Sequence, residues 1–435
     1  MIFEVNREEF TRAIKPAVEV ASKNTLKDFK YDNLLTIKAE KDRVVFFAFG
    51  GLISLISPIS GSNFNIDYAC EEEGTATIYA DDLNTFMSSL PKSYDRVKIY
   101  LDSSQLKIES ASKKVSKKKS NSARTMAVVS EVVRPPNLGS TFDQDIQIDR
   151  EVFVKGMDSV IFAPAYEEKM YSYMCMLFEA RGDLPEQVIR FSAGTGGRFA
   201  IKDIKGKHII ENNQKARIIF PKDSLSTLSH LLSSSSSETI SIKYIVANQK
   251  DNVAEHIMIE FDEMVLCIFG LEHFTKYPDL AKIISHKYSN RIYSNLEDWK
   301  PVAKTIEGTR HRWNENIHNT EVVLNDADEV LEITPKVPHA SPTFIDMVDT
   351  DSCILKGEKI WFRCNSDYID EMVTQGGGKG KIQFNFESQD ILENITDEKE
   401  LQKLMKPILV KFPEDTDEAK NIVDNFYMFF SISTK

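Results

Sequence analysis

Apolar and polar positions along this chain follow two alternating periods, and the switch between them recurs. Six times, a short run with the period-two alternation of a strand ends at a turn residue and opens a stretch with helical periodicity. The segments are IFEVNREEF, TIYADDLNTF, IQIDREVF, IIFPKDSL, RIYSNLEDW and WFRCNSDYI. Four residues after each corner stands an apolar anchor: Phe10, Leu83, Phe153, Leu225, Trp299 and Ile369, spaced by 73, 70, 72, 74 and 70 residues. Small solenoid repeats run roughly 20–50 residues, so this period is too long for them. It accommodates one helix and about four strands per unit.

Each helix carries a single apolar stripe. In the first, Phe10, Ile14, Val18 and Ala21 share one face, with Arg7, Arg12 and Lys15 off it. The others present Leu83, Phe86, Met87 and Leu90 before Pro91; Phe153, Met157, Val160 and Ile161; Leu225, Leu228 and Leu232; Trp299, Val302, Ala303 and Ile306; and Ile369, Met372 and Val373. Asn6, Asp149, Asn295 and Asn365 or Ser366 occupy N-cap positions. Between helices, LLTIKAE, RVVFFAF, RVKIYLD, QLKIESA, EVVLN, VLEITP and KIQFNFE alternate as half-buried strands do. Antiparallel meanders after every helix predict an α+β fold with helices on one face of the sheets. The module restarts in pairs near Arg134-Pro135-Pro136-Asn137 and Lys276-Tyr277-Pro278-Asp279, which predicts domains at 1–140, 141–288 and 289–435. Three segments break the pattern: the basic Ser112–Ser122, five consecutive serines within Leu231–Glu238, and a polar insertion over Gln389–Asp424 containing LQKLMKPILVKF.

Composition narrows the function classes. A hydrophobic content of 42% in 435 residues suffices for ordinary packed cores. No apolar run approaches the roughly 18 residues of a membrane span, and the chain enters a strand at once, so neither anchor nor signal peptide is expected and the location expected is cytoplasmic. Five scattered cysteines without CxxC spacing read as reduced thiols, most of them buried. The net charge of −12 argues against a surface that coats nucleic acid everywhere, though not against cations gathered on one face.

Catalytic motifs are not apparent. The histidines lack HExxH spacing, and no GxSxG or Ser/His/Asp arrangement occurs. The run Gly376-Gly377-Gly378-Lys379-Gly380-Lys381 lacks the spacing of a phosphate loop and follows a helix, so it reads as a helix-to-strand turn. Gly194-Thr195-Gly196-Gly197-Arg198 leads into a strand and is a weak dinucleotide signal. No enzyme, metal or cofactor is expected.

Taken in order along the chain, these segments resemble the bacterial-type DNA polymerase sliding clamp, the polymerase III β subunit. NREEFTRAIKPAVEVAS is similar to that family's first helix, and GTATIYADDLNTFMSSLP to the second half of its first domain. YSYMCMLFE followed by FSAGTGGRFAI resembles its G-M-L-F-E and A-T-D-G-H-R-L-A signature, YPDLAKII its F-P-D-Y linker, and NFYMFFSI its last strand. The resemblance implies a head-to-tail homodimer closed into a ring around duplex DNA, lined by helices, tethering a polymerase and catalysing nothing. Duplex DNA held without regard to sequence, a polymerase and a clamp loader bound through short linear motifs, and a second copy are the partners it implies.

Cations expected to face DNA are Arg7, Arg12, Lys15, Lys155, Lys222, Lys300 and Lys304 on helices, with Lys23 and Lys27 beyond the first helix; a solvated helix face is the competing reading. Carried over by motif, the partner-peptide pocket comprises Tyr173, Gly194, Gly196, Gly197, Arg198, Phe199, Pro278, Ile283, Met428 and Phe430, with Met170 and Tyr171 at its rim; Phe199, Ile283 and Met428 also read as plain core. The dimer seam is expected to set Thr125, Met126, Ala127, Val128 and Val129 of one copy against the region of Thr305 and Ile306 of the other. Two departures stand out: Thr195-Gly196-Gly197 replaces the family's Asp-Gly-His, and Leu280 replaces the tyrosine after Pro-Asp. They imply an altered peptide preference and, with the insertions, point to a phage or otherwise unusual genome. A rival reading is a clamp-fold scaffold that recruits partners by peptide motifs without encircling DNA; a nucleotide-binding enzyme is a third.

Overall fold

The computed structural model describes residues 1–22, 33–50, 53–60, 68–90, 94–110, 124–129, 144–164, 174–181, 188–195, 197–205, 215–248, 253–268, 277, 280–313, 319–325, 330–336, 346–354, 361–386, 408–412, 414–417 and 422–430. Seven α-helices occur among them: α1 Arg7–Ser22, α2 Ala80–Ser89, α3 Arg150–Asp158, α4 Lys222–Ser233, α5 Leu280–Ser285, α6 Trp299–Trp313 and α7 Ser366–Gln375. Six are those marked by the repeated corner. The short α5 falls where the sequence suggests only a linker.

The anchors explain why the corner repeats. Phe10 packs edge-on to Phe46 with centroids 5.6 Å apart, Phe153 on Phe220 at 5.9 Å, and Trp299 on Phe384 at 5.1 Å. Each is fully enclosed, and burying such a side chain stabilises the fold by about 1.5–3 kcal/mol. Start signals act locally as well. Asn6 Oδ1 accepts from the N–H groups of Glu8 and Glu9, Asp149 Oδ1 from Val152, and Asn365 Oδ1 from Asp367. Asn295 departs from expectation: it makes no side-chain cap, and the chain enters α6 through a 3-10 turn, Leu296–Asp298.

Two compact units emerge: Met1–Val154 with Phe220–His273, and Lys155–Ile219 with Phe274–Lys435. The stretch 141–288 contributes to both. In the first unit, one antiparallel sheet runs Ala69–Glu72, Ile2–Asn6, Arg96–Asp102, Gln105–Ser110, Arg124–Ala127. Its second sheet runs Gly74–Tyr79, Leu34–Ala39, Arg43–Phe49, Ile53–Ser60, Met264–Ile268, Val253–Phe261, Thr239–Asn248, Gln144–Asp149. The join between Ile53–Ser60 and Met264–Ile268 pairs Ile53 with Ile268 and Leu55 with Leu266, 215 and 211 residues apart in sequence. Asp262 and Glu263 form the two-residue turn before Met264 at φ 44° and 63° without a glycine. The serine run secures that turn: Ser236 N–H donates to Asp262 Oδ2 at 3.0 Å, and Ser236 and Ser237 hydroxyls to Oδ1 at 3.0 and 2.8 Å.

In the second unit the strand order is Lys215–Pro221, Cys175–Arg181, Val188–Gly194, Arg198–Lys205, Ile422–Phe430, Ile408–Lys411, Lys381–Phe386, Asn290–Asn295, Asp346–Ile354, Val330–Lys336, Asn319–Asn325, Trp361–Asn365. Arg198–Lys205 and the last strand pair through eight positions, from Arg198 with Phe430 to Lys205 with Val423. Among the described residues no helix is long and apolar enough to cross a membrane.

Candidate functional site

The expected cations divide by surroundings. Arg12 and Lys15 stand exposed on α1 and have no ion-pair partner among the described residues. They line a cavity of about 750 Å³ with His230, Ser234 and Ser236 opposite; Glu9 and Glu19 share its wall. Lys304 is exposed and Lys300 half-buried on α6, both unpaired among the described residues, beside a second cavity against α7. Lys222 is half-buried at the start of α4.

Two expected cations are committed elsewhere. Arg7 is only 9% exposed and donates to Glu8 at 3.0 Å, which leaves little of it to meet a ligand. Lys155 lies 2.5 Å from Asp424 Oδ2, a carboxylate 2% exposed, with Lys202 at 3.6 Å from the same oxygen. A buried carboxylate needs such a partner, so Lys155 neutralises the strand junction. The sequence hides this because Asp424 belongs to the last strand. Lys23 and Lys27 lie outside the described residues, as does Ser112–Ser122.

Part of the expected peptide pocket assembles in the second unit. The hairpin between Val188–Gly194 and Arg198–Lys205 is tight: Thr195 N–H donates to Arg198 O at 2.8 Å, and Gly197 N–H to Thr195 Oγ1 at 3.1 Å. A Cβ on Gly194 would lie 2.2 Å from Arg198 O and 2.5 Å from Phe199 Cδ1, which is why glycine stands there. Ala200 pairs with Met428 and Arg198 with Phe430, bringing the last strand alongside. Met428 is buried, as the core reading requires, whereas Phe199 is only half-buried, with Tyr277 edge-on at 6.3 Å. Ile283 falls on α5; Met170, Tyr171, Tyr173, Gly196 and Pro278 lie outside the described residues.

Arg198 is not an idle anchor. Its guanidinium is ion-paired to Glu371 of α7 and lies 6.0 and 5.7 Å from the ring centroids of Phe162 and Tyr368. Burial pulls its pKa below the ordinary value, against the opposing influence of Tyr368 and Asp367. Burial likewise pushes the Tyr368 hydroxyl up. Phe162, Tyr368 and Glu371 thus surround Arg198, although no spacing in the sequence marks them, and Tyr277, the first residue of the YPDLAKII segment, packs on Phe199. Tyr277 is fixed by donating to Ser192 O at 3.0 Å.

At the expected dimer seam, Arg124–Ala127 pairs among the described residues with Gln105–Ile108 only, leaving its other edge open; Val128 bonds to Ser104, and Val129 bridges to Thr77. Thr305 donates to Pro301 O, and Ile306 is 1% exposed within the unit core, so Ile306 has no surface to offer a second copy.

Comparison with known proteins now bears on this arrangement. No family model matches the chain, and no curated protein sequence does. Solved structures do, over 100% of both chains. The DNA polymerase sliding clamp of Caulobacter crescentus matches with a TM-score of 0.76 at 16% identity. The DNA polymerase III β chain of Streptococcus pneumoniae gives 0.74 at 15%, and the β subunit of Thermotoga maritima 0.72 at 14%. The chain therefore has the fold of the bacterial DNA polymerase sliding clamps, in a strongly diverged sequence.

Proposed function

We propose that this protein is a DNA sliding clamp, a non-catalytic processivity factor that encircles duplex DNA and tethers a polymerase. The observation that carries it is the fold match, which covers 100% of this chain and 100% of the matched chain. Arg12, Lys15 and Lys304, exposed on repeated helices and unpaired among the described residues, suit contact with phosphates, which needs charge and no base readout. In this reading the chain has three modules, 1–140, 141–288 and 289–435, and two copies close head to tail.

The repeat itself suggests how they close. Ile53–Ile56 and Asp346–Asp349 occupy the same place in their modules, each following its hairpin partner. Ile53–Ile56 is paired with Val265–Ile268, whereas Asp346–Asp349 has one described neighbour on the Val330–Ile333 side and carries Met347 at 68% exposure. Arg124–Ala127 holds the position in its module that Met264–Ile268 holds in another. Pairing Arg124–Ala127 with Asp346–Asp349 of a second copy would cover both open edges. That pairing replaces Thr305 and Ile306 as the expected counterpart. The groove around Gly194, Arg198, Phe199 and Tyr277 is the proposed site for short motifs of a polymerase and a loader.

The test is loading onto nicked circular DNA followed by linearisation. A clamp is retained on the circle and lost from the linear product, and Lys304→Glu weakens retention. Equal release from both forms, with compact monomers in solution, would sink this reading in favour of a scaffold that only recruits partners.

A further inference from the structure

Across the sheet of the second unit, Ile201 pairs with Tyr427, Tyr427 with Lys411, Lys411 with Gln383 and Gln383 with Tyr293. These residues therefore share one face on five adjacent strands. Ile201 is buried, and the other four are half-buried. Arg291 lies two residues before Tyr293 on the same face and is exposed. Lys411 Nζ stands 5.9 Å from the centroid of the Tyr427 ring. Neither Lys411 nor Arg291 has an ion-pair partner among the described residues, whereas Lys381, next along that face, is held by Asp351 at 3.4 Å. Burial, and after it Arg291, lowers the Lys411 pKa. Two cations kept on one face without a counter-charge are a local cost of the kind that marks binding sites. Phe199 precedes Ile201 by two residues on the same strand and face, so this row of side chains continues the groove.

We propose that Lys411 and Arg291 bind acidic residues flanking the apolar anchor of a partner's motif. The inference rests on the groove as the site for such motifs and adds a charge requirement to it. Strands about 4.8 Å apart, with residues about 3.3 Å apart along them, put Lys411 roughly 12 Å and Arg291 roughly 19 Å from Phe199 between Cα atoms. An extended segment anchored beside Phe199 meets them with residues about four and about six positions away. Asn385 does not compete for such a segment, because its amide donates to Leu409 O at 3.0 Å and its carbonyl accepts from Gln383 at 2.6 Å. Two cations match one or two carboxylates. A nucleic-acid strand would also meet Glu414 near Tyr427, and Asp351, which disfavours it.

The test compares labelled synthetic peptides by fluorescence anisotropy. All carry a Leu-Phe anchor; some place glutamates at those two positions, before or after the anchor, and their counterparts place glutamines there. In one direction the glutamate peptide should bind wild type about three- to tenfold more tightly than its counterpart at low salt. That ratio should fall to about one in the double variant Lys411→Gln, Arg291→Gln, with the glutamine peptides unaffected. Phe199→Ala should weaken all of them. The double variant should melt no lower than wild type, which keeps binding apart from folding. A ratio that survives in the double variant overturns the flank and leaves the groove and the clamp reading standing. So does equal binding of both kinds of peptide to wild type through Phe199. So does binding of a labelled single-stranded oligonucleotide that depends on Lys411 and Arg291 while the peptides do not. Failure of every peptide to bind, or binding indifferent to Phe199→Ala, would instead remove the groove, and the flank with it.

Discussion

Lys155→Glu should destabilise the protein more than it weakens DNA binding. Asp424 is 2% exposed, and its Oδ2 lies 2.5 Å from Lys155 Nζ and 3.6 Å from Lys202 Nζ. The variant would set a carboxylate beside that buried carboxylate. Like charges about 4 Å apart repel by about 4 kcal/mol at an effective dielectric of about 20. Lys155 is 53% exposed, so solvent screening removes roughly half, leaving about 2 kcal/mol. Lys155→Met loses the attraction alone, about 1 kcal/mol or less. Lys304 has no ion-pair partner among the described residues, so Lys304→Glu should stay within about 0.5 kcal/mol of wild type. Urea unfolding of the three variants, beside duplex binding by gel shift, separates the roles. If Lys155→Glu keeps the wild-type urea midpoint and weakens binding as much as Lys304→Glu, then Lys155 serves DNA and the account of the junction is wrong.

Other expectations concern the groove and the serine-held turn. Gly194→Ala should cost about 1–3 kcal/mol, because its Cβ meets Arg198 O at 2.2 Å; an unchanged melting temperature would refute the close approach. Glu371→Leu leaves the enclosed Arg198 guanidinium without its carboxylate and should cost about 3 kcal/mol in urea unfolding, while Glu371→Gln keeps an acceptor and should cost about 1 kcal/mol. Equal, negligible effects would mean that Glu371 does not hold Arg198. Burial raises the Asp262 pKa, but hydrogen bonds from Ser235, Ser237 and Ser236 outweigh it and hold the carboxyl below its ordinary value. A depressed folded pKa contributes stability above the unfolded value, about 3.9, and loses it as pH falls through the folded value. Asp262→Asn should therefore be less stable than wild type at neutral pH, with the gap closing in acid; a gap independent of pH refutes the assignment.

What the sequence made legible was local. Phe10, Phe153 and Trp299 were readable as anchors because a stripe at helical spacing has one packing solution, and Asn6, Asp149 and Asn365 because a cap acts within three residues. Asn295 looked equivalent, but its side-chain amide donates to Asp351 at 3.3 Å and not to the helix start. Pairings between distant segments stayed hidden. Lys155 meets Asp424, and Arg198 meets Glu371 173 residues away; nothing in their spacing announces either contact. Arg7 read as a solvent-facing cation because its position off the apolar stripe says nothing of neighbouring strands. Around Arg198, the glycine turn was legible as a backbone requirement and Tyr277 as the start of the YPDLAKII segment, whereas Tyr368 and Glu371 arrive through tertiary placement alone.

The two long-range strand junctions differ in substance. One sets Ile53, Ser54, Leu55 and Ile56 against Ile268, Cys267, Leu266 and Val265, almost wholly apolar. The other holds Lys202, Asp203 and Asp424 in its pairing, with Arg190 forked onto Asp203 at 2.7 Å through both Nε and Nη2. Apolar contact loses strength on cooling, while the desolvation penalty of buried ions shrinks on heating. Cold should therefore loosen the first junction before the second, and warmth should favour the second relative to the first. Hydrogen exchange followed at two temperatures would register this as a crossover, so the chain carries joints whose weak points lie at opposite ends of the thermal scale.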